Sequence, residues 1–439
     1  MYAHGFTDNA GLLSSTLATI LPKKTINFRL AIICMATASV GLSMAIISLS
    51  KLLLLLCGLV ILVFARRDPT AGKYLNQAYT PIAVLFTLLT FSASLFWTVA
   101  PLADALGSVA KYGKLLVIVL MMVLIRDRRE AMYALGSFVV AQLFLMASSW
   151  MLFIHLPVPW ATSNMALTEY AVFSSYLDQG IIGSVFAAIC WHFRSLTPGR
   201  FGQHLAIFLA FTSLGNVFFV LSGRSGHIVA IALLSIAIMW ELPKRYRSAV
   251  ILLPFLLVLV LFFSSTKIRE RLTQVRTEVQ SYSTQVQPTT SSGIRLGLWR
   301  RSIQSIGQHP FTGSGVGSWS SEYNRLQREN NPAHKDIDGN WNPHQEYLLW
   351  GVQLGIPGIL IFCSLMLAAL RDTLGMEKPY ARAAQSALLA LAIACLFNSS
   401  IYDALIGDFF CVLIGLLLAL GLHKNARPTI ATPQQQCPT

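Results

Sequence analysis

The chain has 439 residues, of which 54% are hydrophobic and only 12% charged, with a formal net charge of +14. A soluble domain carries roughly 25% charged residues, so a soluble globular protein is excluded and an all-α polytopic integral membrane protein is expected. The positive charge calls for no nucleic acid, because basic loops flanking apolar segments account for most of it.

In chain order, a tail (1–27) precedes nine predicted spans within 28–265. They fall at about 28–48, 52–65, 79–98, 106–125, 131–154, 174–193, 205–221, 227–241 and 248–265. A polar stretch, 266–345, separates these from three more spans at about 346–370, 383–401 and 405–422, and a second tail covers 423–439. Many of these runs approach the ~20 residues a membrane-crossing helix needs, and several are shorter. About twelve transmembrane helices is therefore the reading. Basic clusters test it: Lys23, Lys24 and Arg29, then Arg66 and Arg67, Arg126 to Arg129, Arg194 and Arg200, Lys244 to Arg247, Arg371 to Arg382, and Lys424 and Arg427. With twelve spans and both termini inside, all of them fall on the cytoplasmic side, where Lys and Arg accumulate. That collar suits anionic membrane lipids. The first apolar segment lacks a small-residue cleavage site and is read as retained. No CxxC occurs and no cysteine lies in 266–345, so neither thiol-bound zinc nor a disulfide framework is expected there.

Within the polar stretch, 267–287 alternates charged and aliphatic residues at helical spacing. Arg295 to Gln308 reads as a helix with Leu296, Trp299, Ile303 and Ile306 on one face, ended by His309-Pro310. Gly313, Gly315 and Gly317 then form a tight turn. It lacks the Lys-Ser/Thr of a phosphate-binding P-loop and is read as conformational. Ser318 to Asn330 is a second helix, and Asn331 to Pro343 an irregular lead into the tenth span.

Several residues carry chemistry on the predicted outer face. Arg224, in Ser222-Gly223-Arg224-Ser225-Gly226, stands between the seventh and eighth spans. It reads either as an arginine snorkelling to head groups or as a phosphate ligand approached through small neighbours. Arg295, Arg300 and Arg301 are either solvated helix charges or anion ligands. His344 ends the polar stretch at the membrane surface, as an interfacial histidine or as a base that takes a proton near neutral pH. Asp336, Asp338 and Glu346 stand close in sequence to tune it. Asp104, Lys111, Lys114, Asp178 and Asp403 are charges in or near outer span ends, which default to functional or cavity-lining positions. The histidine spacings (His309, His334, His344) match no metal-ligand pattern.

Three motifs in this order resemble the O-antigen ligase/polymerase family of bacterial envelope enzymes. They are Ser222-Gly223-Arg224, Arg295-x3-Trp299 followed by His309-Pro310-Phe311-Thr312-Gly313-Ser314-Gly315, and Pro343-His344-x-x-Tyr347-Leu348 leading to Gly351, Gly355 and Gly358. They cover about a third of the chain. Gln345 departs from the Asn that family members often carry after the histidine. The resemblance implies an enzyme of the bacterial inner membrane whose catalytic loop, 266–345, is periplasmic. It implies transfer of a glycan from undecaprenyl diphosphate to a sugar hydroxyl of the lipid A–core oligosaccharide, with no cofactor and no metal. Carried over by motif, Arg224 and Arg295 bind the donor diphosphate and His344 is catalytic. Arg300, Arg301, Glu346, Asp338, Tyr347, Lys111 and Lys114 stand as supporting candidates. A polymerase or a protein-directed oligosaccharyltransferase shares these motifs. A polysaccharide or lipid transporter is the reading of a different class, disfavoured because the suggestive residues gather at the outer surface rather than at mid-membrane.

Overall fold

A computed structural model describes residues 22–64, 77–266, 269–270, 291–330, 335–336 and 342–423. All regular structure among them is helical. The helices are α1 (Pro22–Ser39), α2 (Met44–Phe64), α3 (Thr80–Ala93), α4 (Leu102–Leu124, with a 3₁₀ turn at Gly113–Leu115), α5 (Arg128–Phe153), α6 (Tyr176–Phe193), α7 (Gly199–Val220), α8 (Arg224–Glu241) and α9 (Leu253–Ser264). The polar stretch contributes α10 (Ser291–Gln308) and α11 (Trp319–Asn330), and α12 (Glu346–Thr373), α13 (Lys378–Phe397) and α14 (Ala404–Leu422) follow. Among the described residues, twelve apolar helices correspond to the predicted runs, although the first run, 28–48, is interrupted where α1 ends at Ser39 and α2 begins at Met44. Seven of them (α4, α5, α7, α8, α12, α13 and α14) are long and apolar enough to cross a membrane. Residues 1–21 and 424–439 of the tails, most of 267–290 and Asp338 lie outside the described residues.

The bundle is organised around α14. Its apolar window is 94% buried, against 39–56% for the other six spans, so it is the central helix. Neighbours show the opposite pattern, with Ile82, Phe208, Phe255 and Leu367 each more than half exposed on their outer faces. Apolar side chains inside and outside alike are what a lipid-solvated bundle requires. Ion pairs lie inside it: Lys51 Nζ is 2.6 Å from Asp408, and Arg29 bonds Glu130 as well as the Leu124 carbonyl. Arg128–Glu377 and the contacts of Arg194 and Arg382 with Glu241 tie together the ends of four helices, α5, α6, α8 and α13, that the basic clusters assigned to one side.

The polar stretch is held by a break in α12. Pro357 has no N–H, so the Gln353 carbonyl lacks a helical donor. Gly355, at φ +71°, turns the chain out of helix, and the Ile356 N–H leaves Val352 to donate to the Pro310 carbonyl at 2.8 Å. The glycine turn fills both vacancies: the Ser314 N–H donates to the Val352 carbonyl at 2.8 Å and the Gly315 N–H to the Gln353 carbonyl at 2.9 Å. Its other side is bound by the end of α3, with the Val99 N–H on Ser314 O at 3.0 Å and Thr98 Oγ1 on Val316 O at 2.7 Å.

The predicted face of α10 holds for Trp299 and Ile306, which pack against the core, and is corrected for Leu296 and Ile303. Leu296 is 38% and Ile303 61% exposed, whereas Leu298, Ser302 and Ser305 are buried. Small residues let α10 lie close to α12, where Ile306 packs on Gly351, and Ser305 donates to Glu322 of α11 at 2.8 Å. Periodicity alone had selected the larger apolar residues. Gly315 (φ +85°) is the position on which the junction depends, because an added Cβ would stand 2.2 Å from Thr98 Cα. Gly315→Ala is expected to cost more than the ~1–3 kcal/mol of left-handed strain alone. A lowered melting temperature in detergent and faster proteolysis within 266–345 would show it. An unchanged melting temperature would refute this account of the junction.

Candidate functional site

His344 follows Asn342-Pro343 and is one of three non-glycine residues in the left-handed region among the described residues, at φ +53°. Such a conformation costs a side chain about 1–3 kcal/mol and persists only where its surroundings enforce it. Here Pro343 is buried and the Asn342 side chain accepts the His344 N–H at 2.8 Å, an Asx turn that fixes the backbone. The next residue, Gln345, caps α12 by accepting the Leu348 N–H at 2.6 Å. Capping is work that asparagine does equally, so the departure at Gln345 preserves a helix start.

The imidazole faces the turn between α13 and α14. His344 Nδ1 lies 3.3 Å from Asn398 Oδ1, and Asn398 Nδ2 donates to Asp403 at 2.8 Å. An ionised Asp403 offers only acceptors, so the Asn398 amide nitrogen faces it and the amide oxygen faces the imidazole. Nδ1 therefore carries the proton, and Nε2 of the neutral ring is left as the basic atom. Asn342 Nδ2 reaches the other Asp403 oxygen at 3.3 Å, closing a ring of contacts around the exposed histidine.

The turn itself is pinned from two sides. Glu346, wholly buried, accepts the Ile401 and Tyr402 N–H groups at 2.9 and 3.2 Å and Trp350 Nε1 at 2.7 Å. Lys114, buried at the 3₁₀ turn of α4, donates to the Asp403 carbonyl at 2.6 Å. Lys111, one turn earlier, stands 4.1 Å over the Tyr402 ring. These three candidates thus belong with His344 in one assembly. Glu346 positions the turn instead of touching the imidazole, and Asp336 is paired with Arg328 at 2.6 Å. The carboxylate that orients the histidine is Asp403. Its partner Asn398 was missed by sequence reading; the polar run Asn398-Ser399-Ser400 between two spans was the available signal.

Arg224 opens α8 and is half-buried. The small residues beside it are used by the protein. Gly226 meets Gly180 of α6 so closely that an added Cβ would lie 2.8 Å from Gly180 Cα, and Gly223 packs on Tyr176 and Leu177. Ser222 donates to Glu169. The start of α8 is therefore locked to the start of α6, whose Asp178 lies within electrostatic range of Asp403. Arg224 and His344 consequently share one end of the bundle. Arg295 is half-buried near the start of α10 and Arg300 is exposed. Arg301 bonds Gln304 and, at 3.0 Å, Gln327, which joins α10 to α11. The Tyr347 hydroxyl donates to the Ala392 carbonyl at 3.2 Å inside the bundle.

Burial raises the Asp403 carboxyl above the usual carboxylate range, although His344, Asn398, Lys114 and Lys111 each pull it down. A folded-state value above the unfolded one means folding favours the protonated acid. That contribution is present at low pH and is lost as pH rises through the folded value. Asp403→Asn is thus expected to leave stability unchanged or raised at neutral pH, with the gain over wild type shrinking on acidification. The new amide would also turn Asn398 about, presenting NH₂ to His344 Nδ1 and moving the imidazole proton to Nε2. ¹⁵N NMR of labelled histidines, assigned by difference with His344→Ala, reads this directly. An unshifted Nδ1–H tautomer in Asp403→Asn would refute the relay.

No curated protein matches the chain. Residues 205–363 match the family model described as O-antigen ligase. That segment runs from within α7 into α12 and contains Arg224, Arg295 and His344, so over these residues the chain is similar to the O-antigen ligase family.

Proposed function

We propose that the protein is a lipid-diphosphate-dependent glycosyltransferase that moves O-antigen polysaccharide from undecaprenyl diphosphate to a sugar hydroxyl of lipid A–core, on the periplasmic face of the inner membrane. The observation that carries the reading is the oriented His344, strained in backbone and held through Asn398 to Asp403, with Nε2 as its basic atom. The family supports a ligase- or polymerase-type activity in general. The basic clusters at the opposite end of the bundle support an outward-facing site.

In the proposed reaction the acceptor hydroxyl gives its proton to His344 Nε2 as its oxygen attacks the anomeric carbon. The bond from that carbon to the diphosphate oxygen breaks, and the diphosphate leaves with the electron pair. Arg224 and Arg295 stabilise the negative charge that develops on it, more in the transition state than in the bound donor. One displacement inverts the anomeric centre. Both lipids are confined to one leaflet, which supplies much of the encounter. An apolar cavity of about 330 Å³ on α8, lined by Ala187, Ala210, Leu233 and Ala237, lies further along the helix that Arg224 opens and is suited to a polyprenyl chain.

Reconstitution with a lipid-diphosphate glycan and separate acceptors (lipid A–core, a second donor, a pilin-like protein) tests the assignment. Product on lipid A–core alone is expected, and product only on another acceptor would move the protein to a different branch of the family. His344→Ala should lower turnover about 10²–10⁴-fold with donor binding kept. His344→Gly should be equally inactive yet about 1 kcal/mol more stable than His344→Ala, since glycine tolerates φ +53°. A fully active His344→Ala protein refutes the base. Arg224→Ala and Arg295→Ala should each impair donor use far more than folding, and Lys should rescue in part, because an ammonium lacks the planar fork of guanidinium. Unchanged donor kinetics in Arg224→Ala would reassign that residue to the head groups. EDTA should leave activity intact; inhibition reversed by added divalent metal would overturn the metal-free mechanism.

A further inference from the structure

A second feature adjoins the histidine assembly and has no part in the mechanism above. A cavity of about 180 Å³ opens between α4, the glycine turn and the start of α11, against the side chain of Tyr402. Asp104, Ser108, Lys111 and Ser320 give it polar walls, and Gly107 leaves one side open, since an added Cβ there meets nothing within 4 Å. The Tyr402 hydroxyl shares a hydrogen bond with Ser108 Oγ at 3.0 Å, and the Lys111 ammonium stands over the Tyr402 ring. Tyr402 is held by Glu346 through its N–H and is followed by Asp403, so the cavity is one residue from the His344 relay.

The chemistry of the walls selects the occupant. Asp104 accepts hydrogen bonds, Lys111 donates them, and the serine hydroxyls do both. An anion would face Asp104 and a cation would face Lys111, while an apolar group would bury these polar walls without offering them a hydrogen bond. A neutral ring bearing several hydroxyls satisfies donors and acceptors together. Pockets for drug-sized ligands run to roughly 300–1,000 Å³, so a cavity of this size fits a single sugar ring.

Its place indicates which sugar. Arg224 lies in the group formed by α6, α8 and α13, whereas the cavity is built on α4 and α11. The turn at 398–403 stands between the two groups, and His344 is fixed to that turn. We propose that this cavity binds the accepting sugar ring, so that Asp104 and Lys111 determine acceptor specificity. The proposal rests on the glycan-transfer reading given above.

Gly107→Leu is the discriminating variant. It fills the cavity from a helix whose backbone is unstrained there, and leucine is the better helix former, so folding is kept. The acceptor KM should rise about 10-fold or more, with the donor KM and melting temperature unchanged. Asp104→Asn and Lys111→Gln should each raise the acceptor KM by a smaller factor. A rise in donor KM alone, or no change in either constant, would overturn the proposal. Saturation-transfer NMR of detergent-solubilised full-length protein with the soluble core oligosaccharide reads occupancy without turnover. Signal lost in Gly107→Leu supports the subsite, and equal signal in wild type and variant refutes it. Binding sensitive to Gly107→Leu in a protein that transfers no glycan to any acceptor would refute the transfer reading and leave the subsite standing.

Discussion

The rest of the structure depends on the unsatisfied backbone of α12. A helix that breaks inside an apolar bundle strands carbonyl groups that lipid cannot solvate, at several kcal/mol each. Here Gly355 and Pro357 break the helix, and the glycine turn from the polar stretch supplies the missing donors through Ser314 and Gly315. The polar stretch is thereby fastened to the helix whose first turn carries His344. Neither partner is stable alone in this form. Glycine is required in the turn because the α3 end and α12 approach it from both sides.

The second junction obeys the same rule with different donors. The chain between α13 and α14 turns at the edge of the bundle, and the Ile401 and Tyr402 N–H groups there have no helical acceptor. Glu346 accepts both, while Lys114 satisfies the carbonyl of Asp403. Buried charges of this kind cost desolvation and persist where hydrogen bonds complete them. They convert a polar turn into a rigid mount, and Asn398 and Asp403 inherit that rigidity. An imidazole bonded to a mobile loop would lack a fixed tautomer; bonded to this turn, it has one.

The architecture was legible in the sequence because lipid imposes simple rules. Run length gave the helices, and the alternation of basic clusters gave their pairing into ends, which Arg128–Glu377 and the Glu241 contacts reproduce. The glycine turn was rightly read as conformational. The relay was not legible, because Asn398 and Asp403 lie 54 and 61 residues from their partners His344 and Asn342, and only the fold brings them together. The carboxylates nearest His344 in sequence drew the eye instead, yet Glu346 is consumed by the turn and Asp336 by Arg328. The face of α10 was misjudged for a related reason: close packing on α12 selects small residues such as Ser302 and Ser305, while Leu296 and Ile303 remain outside. Sequence periodicity reports hydrophobicity, not how closely two backbones approach.

Inverting displacement constrains a site in one further way. The nucleophile and the leaving group must lie on opposite sides of the anomeric carbon, so one pocket cannot hold both substrates in a shared orientation. In the proposed mechanism, the helix groups around the 398–403 turn would divide the two substrates between them. Arg224 is locked beside α6 on one flank through the Gly180–Gly226 contact, and the polar cavity of α4 lies on the other. His344 is tied to the turn between them, the place the proposed mechanism requires of a base that takes a proton from the acceptor without contacting the departing diphosphate. The left-handed backbone at His344 follows from the same geometry. A relaxed helix start would carry the imidazole with α12; the Asx turn of Asn342 and Pro343 holds it out toward Asn398. The strain is the cost of that placement, and the buried hydrogen bonds of Glu346 and Lys114 keep the surrounding mount rigid enough to sustain it.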